Sequence, residues 1–153
     1  MMEVSTDPER VERRAALSSI AVKVEMSSGN VKPLFHQVRH ALQRLLTDGT
    51  STLIDLKAIP LAPGEEERIL AELGSGEVCA ELNVFGRSEA RETAIPGVWV
   101  VTHYDGQAAP RTRFIEVTRV PQILCSQTPD MVDGLARLTA SLNTDLEQVP
   151  DVI

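Results

Sequence analysis

The side-chain pattern changes at residue 77, from where the chain reads EVCAELNVFGRSEARETAIPGVWVVTHY to residue 104. In residues 77–84 apolar and polar side chains alternate, which is typical of a strand with one buried face. Residues 87–94 are polar on both faces, and we interpret them as an edge strand, because charges protect an exposed sheet edge. Residues 98–104 contain the run VWVV, which predicts a buried central strand.

The segments on either side of this stretch predict the rest of the fold. Apolar spacing indicates helices over residues 33–47, 63–73 and 128–146, and further strands over residues 52–56 and 111–120. Helices gather at the two ends and strands in the middle. The predicted class is therefore α+β, a single domain with a mostly antiparallel sheet of about four to five strands packed against helices. The last helix carries a narrow apolar stripe: Met131, Leu135, Leu138, Leu142 and Leu146.

Length and charge restrict the function classes. The chain has 153 residues and a formal net charge of −7, whereas a nucleic-acid binder needs a basic surface. No apolar run approaches the roughly 18 residues of a membrane span, and the first residues lack the apolar core of a secretory signal. We expect residues 1–30 to be a polar, partly disordered lead-in, residues 31–148 to form the domain, and residues 149–153 to be a tail.

The two cysteines, Cys79 and Cys125, favour a reduced cytoplasmic protein over a disulfide scaffold. Cys79 lies on the polar side of its predicted strand, so partial exposure is expected. Cys125 follows Ile123 and Leu124, which is compatible with a core position. We interpret both as structural thiols.

No known catalytic motif is present: there is no P-loop, no GxSxG and no GxGxxG after a strand. We therefore predict no catalytic residue, no cofactor and no enzymatic activity. His36 and His40 have the four-residue spacing that allows two imidazoles to share a metal ion. They lie opposite the apolar stripe of the first helix, and no motif supplies a third ligand. A solvated polar face or a partner-binding face accounts for them better than a metal site.

The polar strand allows two interpretations of equal weight. Glu89, Arg91 and Glu92 protect a sheet edge, or they meet a partner together with Trp99 and Tyr104 on the next strand. Arginine and amphipathic aromatic residues are frequent at interfaces, although a lone tryptophan is more often a core residue. The candidate partner-binding residues are Glu89, Arg91, Glu92, Trp99, Tyr104, His36 and His40. The polar edge strand and the exposed face of the first helix are also compatible with a homodimer.

Three blocks of the sequence carry a family pattern: IDLKAIPLAPGEEERILAELGSGEVCAEL (residues 54–82), GRSEARETAIPGVWVVTHY (86–104) and IEVTRVPQILCSQTPDMVDGLARL (115–138). In this order and spacing they resemble the C-terminal domain of the HupH/HyaF-type hydrogenase expression and formation proteins. The longer members of that family have a further N-terminal region, in place of which this chain has its polar lead-in.

The resemblance implies an accessory, chaperone-like protein in the maturation of nickel–iron uptake hydrogenases. Such a protein acts in the cytoplasm on a hydrogenase subunit precursor, and whether other maturation proteins join stays open. The resemblance supplies no catalytic residues. The alternative is a protein that delivers a metal or metal cluster for the same pathway, since thiolates and imidazoles suit iron and nickel. Its candidate ligands are Cys79, Cys125, His36, His40 and His103.

Overall fold

A computed structural model describes residues 26–83 and 86–147 of the chain, with the side chains of residues 145–147 left out of the description. The expectations for the lead-in before residue 26 and for the tail lie outside these residues. Within them the chain forms three helices, α1 (Val31–Asp48), α2 (Glu65–Leu73) and α3 (Thr128–Glu147), and five strands, β1 (Thr52–Asp55), β2 (Cys79–Asn83), β3 (Arg87–Glu92), β4 (Val98–Tyr104) and β5 (Pro110–Val117).

The five strands form one antiparallel sheet in the order β1-β5-β4-β3-β2, which confirms the α+β class. Strand β4 is central, as predicted, and Val98 and Val101 are buried in it. The prediction that residues 87–94 form an edge strand is wrong, because β3 lies between β4 and β2. Its polar pattern arises because its charged side chains project from a part of the sheet that is open to solvent, and the edge beside it is β2.

The hydrophobic core lies between one face of the sheet and the helices α1 and α2. It is aliphatic, and its most deeply buried members come from α2, β4, β5 and the 3-10 turn after β1: Leu56, Ile69, Leu73, Val98, Ile115 and Val117. Their alternate positions along β4 and β5 place them on one face of the sheet, in the register Val98↔Val117. Gly49 ends α1 in the left-handed conformation, with φ 78°, where the sequence predicted the stop.

The second face of the sheet is covered in part by the chain that follows β5. Pro121 is fully buried there, and the 3-10 turn Gln122–Leu124 follows it. The backbone N–H of Gln122 donates to the Glu116 carboxylate at 3.1 Å, which ties this segment to β5. The sheet is therefore covered by helices on one face and by an irregular segment on the other.

The last helix, α3, departs from the expected arrangement. Its apolar stripe does not pack on the sheet, since Met131, Leu135, Leu138 and Leu142 are 54%, 66%, 59% and 56% exposed. Among residues 128–144, every residue except the half-buried Gly134 is exposed. The sequence located the helix and its stripe, but the surface that the stripe covers is not among the described residues of this chain.

Candidate partner-binding surface

Four charged side chains and one tyrosine form a connected group across β2, β3 and the end of β4. We call Glu81, Arg87, Glu89, Arg91 and Tyr104 the strand cluster. The guanidinium of Arg87 contacts the carboxylates of Glu81 at 2.8 Å and Glu89 at 3.5 Å. Arg91 donates two hydrogen bonds to one carboxylate oxygen of Glu89, at 3.0 Å and 2.8 Å. The Glu89 side chain is only 12% exposed, so its carboxylate is held between two arginines.

The two arginines present fixed positive charge at the surface. The hydrogen bond to Glu81 raises the pKa of Arg87, and the hydrogen bonds to Glu89 raise the pKa of Arg91. The Arg87 guanidinium also lies over the Tyr104 ring, 4.7 Å from its centroid, in a cation–π contact. These contacts restrict the side chains before any partner arrives, which lowers the entropy that binding would cost.

The structure brings together only part of the predicted set. Glu89, Arg91 and Tyr104 belong to the strand cluster, whereas Glu92 and Trp99 are paired in register on the opposite face of the sheet. The carboxylate of Glu92 accepts a hydrogen bond from the backbone of Glu77 at 3.2 Å, and Trp99 is 6% exposed. Both residues therefore lie apart from the strand cluster.

His36 and His40 are exposed on α1, on its side away from the core. Within the described residues no hydrogen bond joins either ring to the strand cluster. The sequence reasoning missed Arg87 and Glu81. The alternation of side chains could have indicated Arg87, because residues 87, 89 and 91 share one face of β3. Glu81 on β2 is paired with Glu89 on β3, so it lies on the same face.

A cleft of about 600 Å³ opens on the second face of the sheet, and the segment after β5 forms one wall. His103 of β4 lines this cleft, and its Nδ1 lies 2.8 Å from the Ser88 hydroxyl. Cys125 lies on the opposite wall. A serine–histidine contact is part of many nucleophilic sites, which also need a group that orients the histidine. Among the described residues no carboxylate hydrogen-bonds to His103, and its ring meets the edge of Phe114 instead.

The candidate metal ligands remain dispersed. No group of three or more His, Cys, Asp or Glu side chains in the described part of the chain is arranged to hold an ion. Cys79 is exposed, as expected. Cys125 is exposed too, so it does not occupy the core position that its apolar neighbours allowed. Its Sγ lies 3.6 Å from the backbone carbonyl oxygen of Pro121, at the end of the 3-10 turn.

Comparison with known proteins now decides the family. The model described as the HupH hydrogenase expression protein, C-terminal conserved region, matches residues 29–144. The chain belongs to this family. The HupH region thus runs from the start of α1 into the last turns of α3, and it includes the whole strand cluster.

Individual HupH-type relatives agree with this assignment. The chain is 30% identical over 143 residues to the hydrogenase expression/formation protein HoxQ of Azotobacter vinelandii, covering 90% of this chain and 50% of that protein. It is 28% identical to HupQ of Azotobacter chroococcum mcd 1, with the same coverage. The chain therefore spans about half the length of the curated relatives it matches.

A solved structure confirms the fold. The hydrogenase expression protein HupH from Thiobacillus denitrificans ATCC 25259 matches with a TM-score of 0.72 and 41% identity, over 78% of this chain and 99% of that one. None of the helices described for the present HupH-family chain has the length and hydropathy needed to cross a lipid bilayer.

Proposed function

We propose that this chain is a non-enzymatic accessory protein in the maturation of a nickel–iron uptake hydrogenase, and that it binds a hydrogenase subunit precursor in the cytoplasm. Family membership supports the pathway, because the relatives are named hydrogenase expression/formation proteins. The strand cluster supports binding as the mode of action: it is a preordered surface patch of both charge signs.

The edge strand β2 strengthens this proposal. Among the described residues no strand pairs with the outer side of Cys79–Asn83, so its backbone N–H and C=O groups are open to a partner. An extended precursor segment would add to this edge through main-chain hydrogen bonds. The neighbouring Arg87 and Arg91 would then select a segment that carries acidic or carbonyl groups, because each guanidinium has donors left over from its contacts with glutamate.

Affinity purification of the full chain from cells that make a nickel–iron hydrogenase tests the proposal. We expect an unprocessed hydrogenase subunit, identified by mass spectrometry, to co-purify with the wild type. Neutralising the two cluster arginines (Arg87→Gln with Arg91→Gln) should reduce its recovery at least about tenfold, if the charged contacts contribute the typical 1–2 kcal/mol or more.

Arg68→Gln is the matched control, since Arg68 is an exposed, ion-paired arginine on α2, outside the strand cluster. A second variant, His36→Ser with His40→Ser, tests the predicted contribution of α1. Equal recovery with every variant would contradict the strand cluster as the contact surface. Normal subunit processing and hydrogenase activity in a strain without this chain would contradict the function itself.

A further inference from the structure

The last helix is the part of the fold that most requires a partner. Helix α3 contains Gly134 and several threonine, serine and asparagine residues, which have low intrinsic helix propensity. Helices in proteins owe most of their stability to the packing of an apolar face. Here that face is exposed along its described length, so residues 26–83 and 86–147 of one copy do not supply this packing.

The stripe has the geometry of a helix–helix seam. Its members follow each other at intervals of four, three and four residues, from Met131 to Leu142. This is the narrow a/d repeat of coiled coils, whereas a helix that packs on a globular core shows a wider apolar face. The residues that flank the stripe between its first and last members are small or β-branched and carry no charge: Val132, Gly134, Thr139 and Ser141.

The stripe is also complementary to itself. From Met131 to Leu142 its spacing reads the same from either end, so an antiparallel copy places Met131 against Leu142 and Leu135 against Leu138 of a second chain. We propose that α3 pairs with α3 of a second copy of this protein in an antiparallel, two-fold symmetric dimer. Such an isologous contact is closed and does not propagate.

The charges favour the antiparallel direction. In a parallel pair the two helices would begin side by side and bring together two domains, each from a chain of net charge −7. In the antiparallel pair the points where the helices leave their domains lie roughly the length of a 20-residue helix apart, about 30 Å. This distance exceeds the Debye length of about 8 Å at physiological ionic strength, so charges near the two helix starts are screened from each other.

The contact is small. A helix about 30 Å long and about 10 Å across offers only a few hundred Å² per copy, at the low end of specific interfaces. We therefore expect reversible dimerisation with a dissociation constant in the micromolar range.

Sedimentation velocity of the purified full chain tests this directly. Between about 1 and about 500 μM the mass should rise from 16.7 kDa toward twice that value. Replacing two members of the stripe (Leu135→Asp with Leu138→Asp) should raise the dissociation constant about 100-fold or more, because charges would be buried without partners. The matched control, Ala136→Asp with Ala140→Asp, adds the same charge on the side of α3 away from the stripe and should leave dimerisation within about threefold of wild type.

Disulfide cross-linking tests the direction of the helices. In a chain whose own thiols are removed (Cys79→Ser with Cys125→Ser), a mixture of Met131→Cys and Leu142→Cys proteins should cross-link under mild oxidation. Either protein alone should not, because the two identical positions lie on opposite sides of the two-fold axis. Self-cross-linking of each alone would show a parallel pair and overturn the proposal.

A chain that stays monomeric at the highest concentration also overturns the dimer proposal. The proposal is overturned as well if the leucine and alanine substitutions change the dissociation constant equally. If the monomeric wild type loses its hydrogenase precursor when the leucines are replaced, the stripe binds that partner instead. Sedimentation and cross-linking use only this chain, so a monomeric result would not contradict the proposed function in hydrogenase maturation. A failed co-purification would likewise not contradict the dimer.

Discussion

Glu65 joins separate backbone segments through one carboxylate. It accepts hydrogen bonds from the hydroxyl and the backbone N–H of Ser28, and from the backbone N–H of Ala62 at 2.8 Å. The side chain is buried at the first turn of α2, where the helix dipole also favours negative charge. The hydrogen bond from the Ser28 hydroxyl, followed by that from Ala62, lowers the pKa of Glu65 below its usual value.

This lowered pKa predicts loss of stability in acid. A carboxyl whose pKa is lower in the folded than in the unfolded chain stabilises the fold fully above the unfolded-state pKa of about 4.3, and the effect is lost as the pH falls through the folded-state pKa. We expect Glu65→Gln to flatten the fall in melting temperature below about pH 5. Glu67→Gln, at an exposed position in the same turn, is the control. An unchanged pH profile for Glu65→Gln would show that this carboxyl is not the source.

The buried leucine of α2 predicts a large effect on stability. Leu73 has no exposed surface, and Leu73→Ala should lower the free energy of unfolding by about 2–5 kcal/mol, through lost burial and a cavity. Leu46→Ala removes the same atoms from a side chain that is 74% exposed, and should cost less than about 0.5 kcal/mol. Urea denaturation of both variants measures the difference. Similar losses would mean that α2 does not close the core.

At single residues the sequence predicted burial better than polar contacts. The helical spacing of Ile69, Leu70 and Leu73 predicts that they face inward. Ile69 and Leu73 are fully buried, and Leu70 is half-buried. The same helix begins with three glutamates, and spacing alone did not show which one is buried. That choice depends on Ser28, which lies 37 residues away in sequence. A pattern over neighbouring residues carries no information on such a contact.

At the scale of elements, an ion pair joins α2 to the sheet. The Arg113 guanidinium on β5 lies 2.6 Å from the Glu66 carboxylate on α2, with side chains 17% and 19% exposed. Arg113 also donates to the Thr102 hydroxyl on β4 at 3.2 Å. The pair therefore fixes the helix against two strands in an environment that water screens only in part.

A double-mutant cycle on this pair tests its contribution. We expect a coupling energy of roughly 1–2 kcal/mol between Glu66→Gln and Arg113→Gln, since charge-assisted hydrogen bonds are strong when water is partly excluded. The pair Arg68–Glu72 on the exposed side of α2 is the control, with an expected coupling of about 0.3–0.5 kcal/mol. Equal couplings, measured by urea denaturation, would contradict a special role for the Arg113 contact.

The elements themselves were predicted more accurately than their neighbours in space. The strand predicted over residues 98–104 has those bounds in the structure, because its apolar run ends at clear turn signals. The position of β3 was predicted wrongly, since the pattern within a strand shows which faces are polar but not how many strands lie beside it. The strand cluster was found in part for the same reason: Glu81 joins it only through the pairing of β2 with β3.

At the scale of the whole molecule, the chain has a well-packed domain and a helix that extends beyond it. The sequence predicted both parts, but not their separation. An apolar stripe shows that a helix needs a covering surface and does not show whether that surface belongs to the same chain. Among the described residues, the core cluster consists of side chains from α1, α2, the sheet and the 3-10 turn after β1, and it includes no residue of α3. The stripe therefore does not pack on this core.

This division predicts two patterns of backbone amide exchange. Amides in β4 and β5 should exchange slowly and independently of protein concentration, since they open only with the whole core. Amides in α3 should exchange rapidly in dilute solution, because an unpacked helix of low propensity opens locally. If the helix pairs with a second copy, mass action should slow its exchange as the concentration rises through the micromolar range. Hydrogen–deuterium exchange at about 1 and about 200 μM, read by mass spectrometry, separates these cases. Exchange in α3 that is slow at both concentrations would instead place a covering segment of the same chain over the stripe, because only an intramolecular contact is insensitive to dilution.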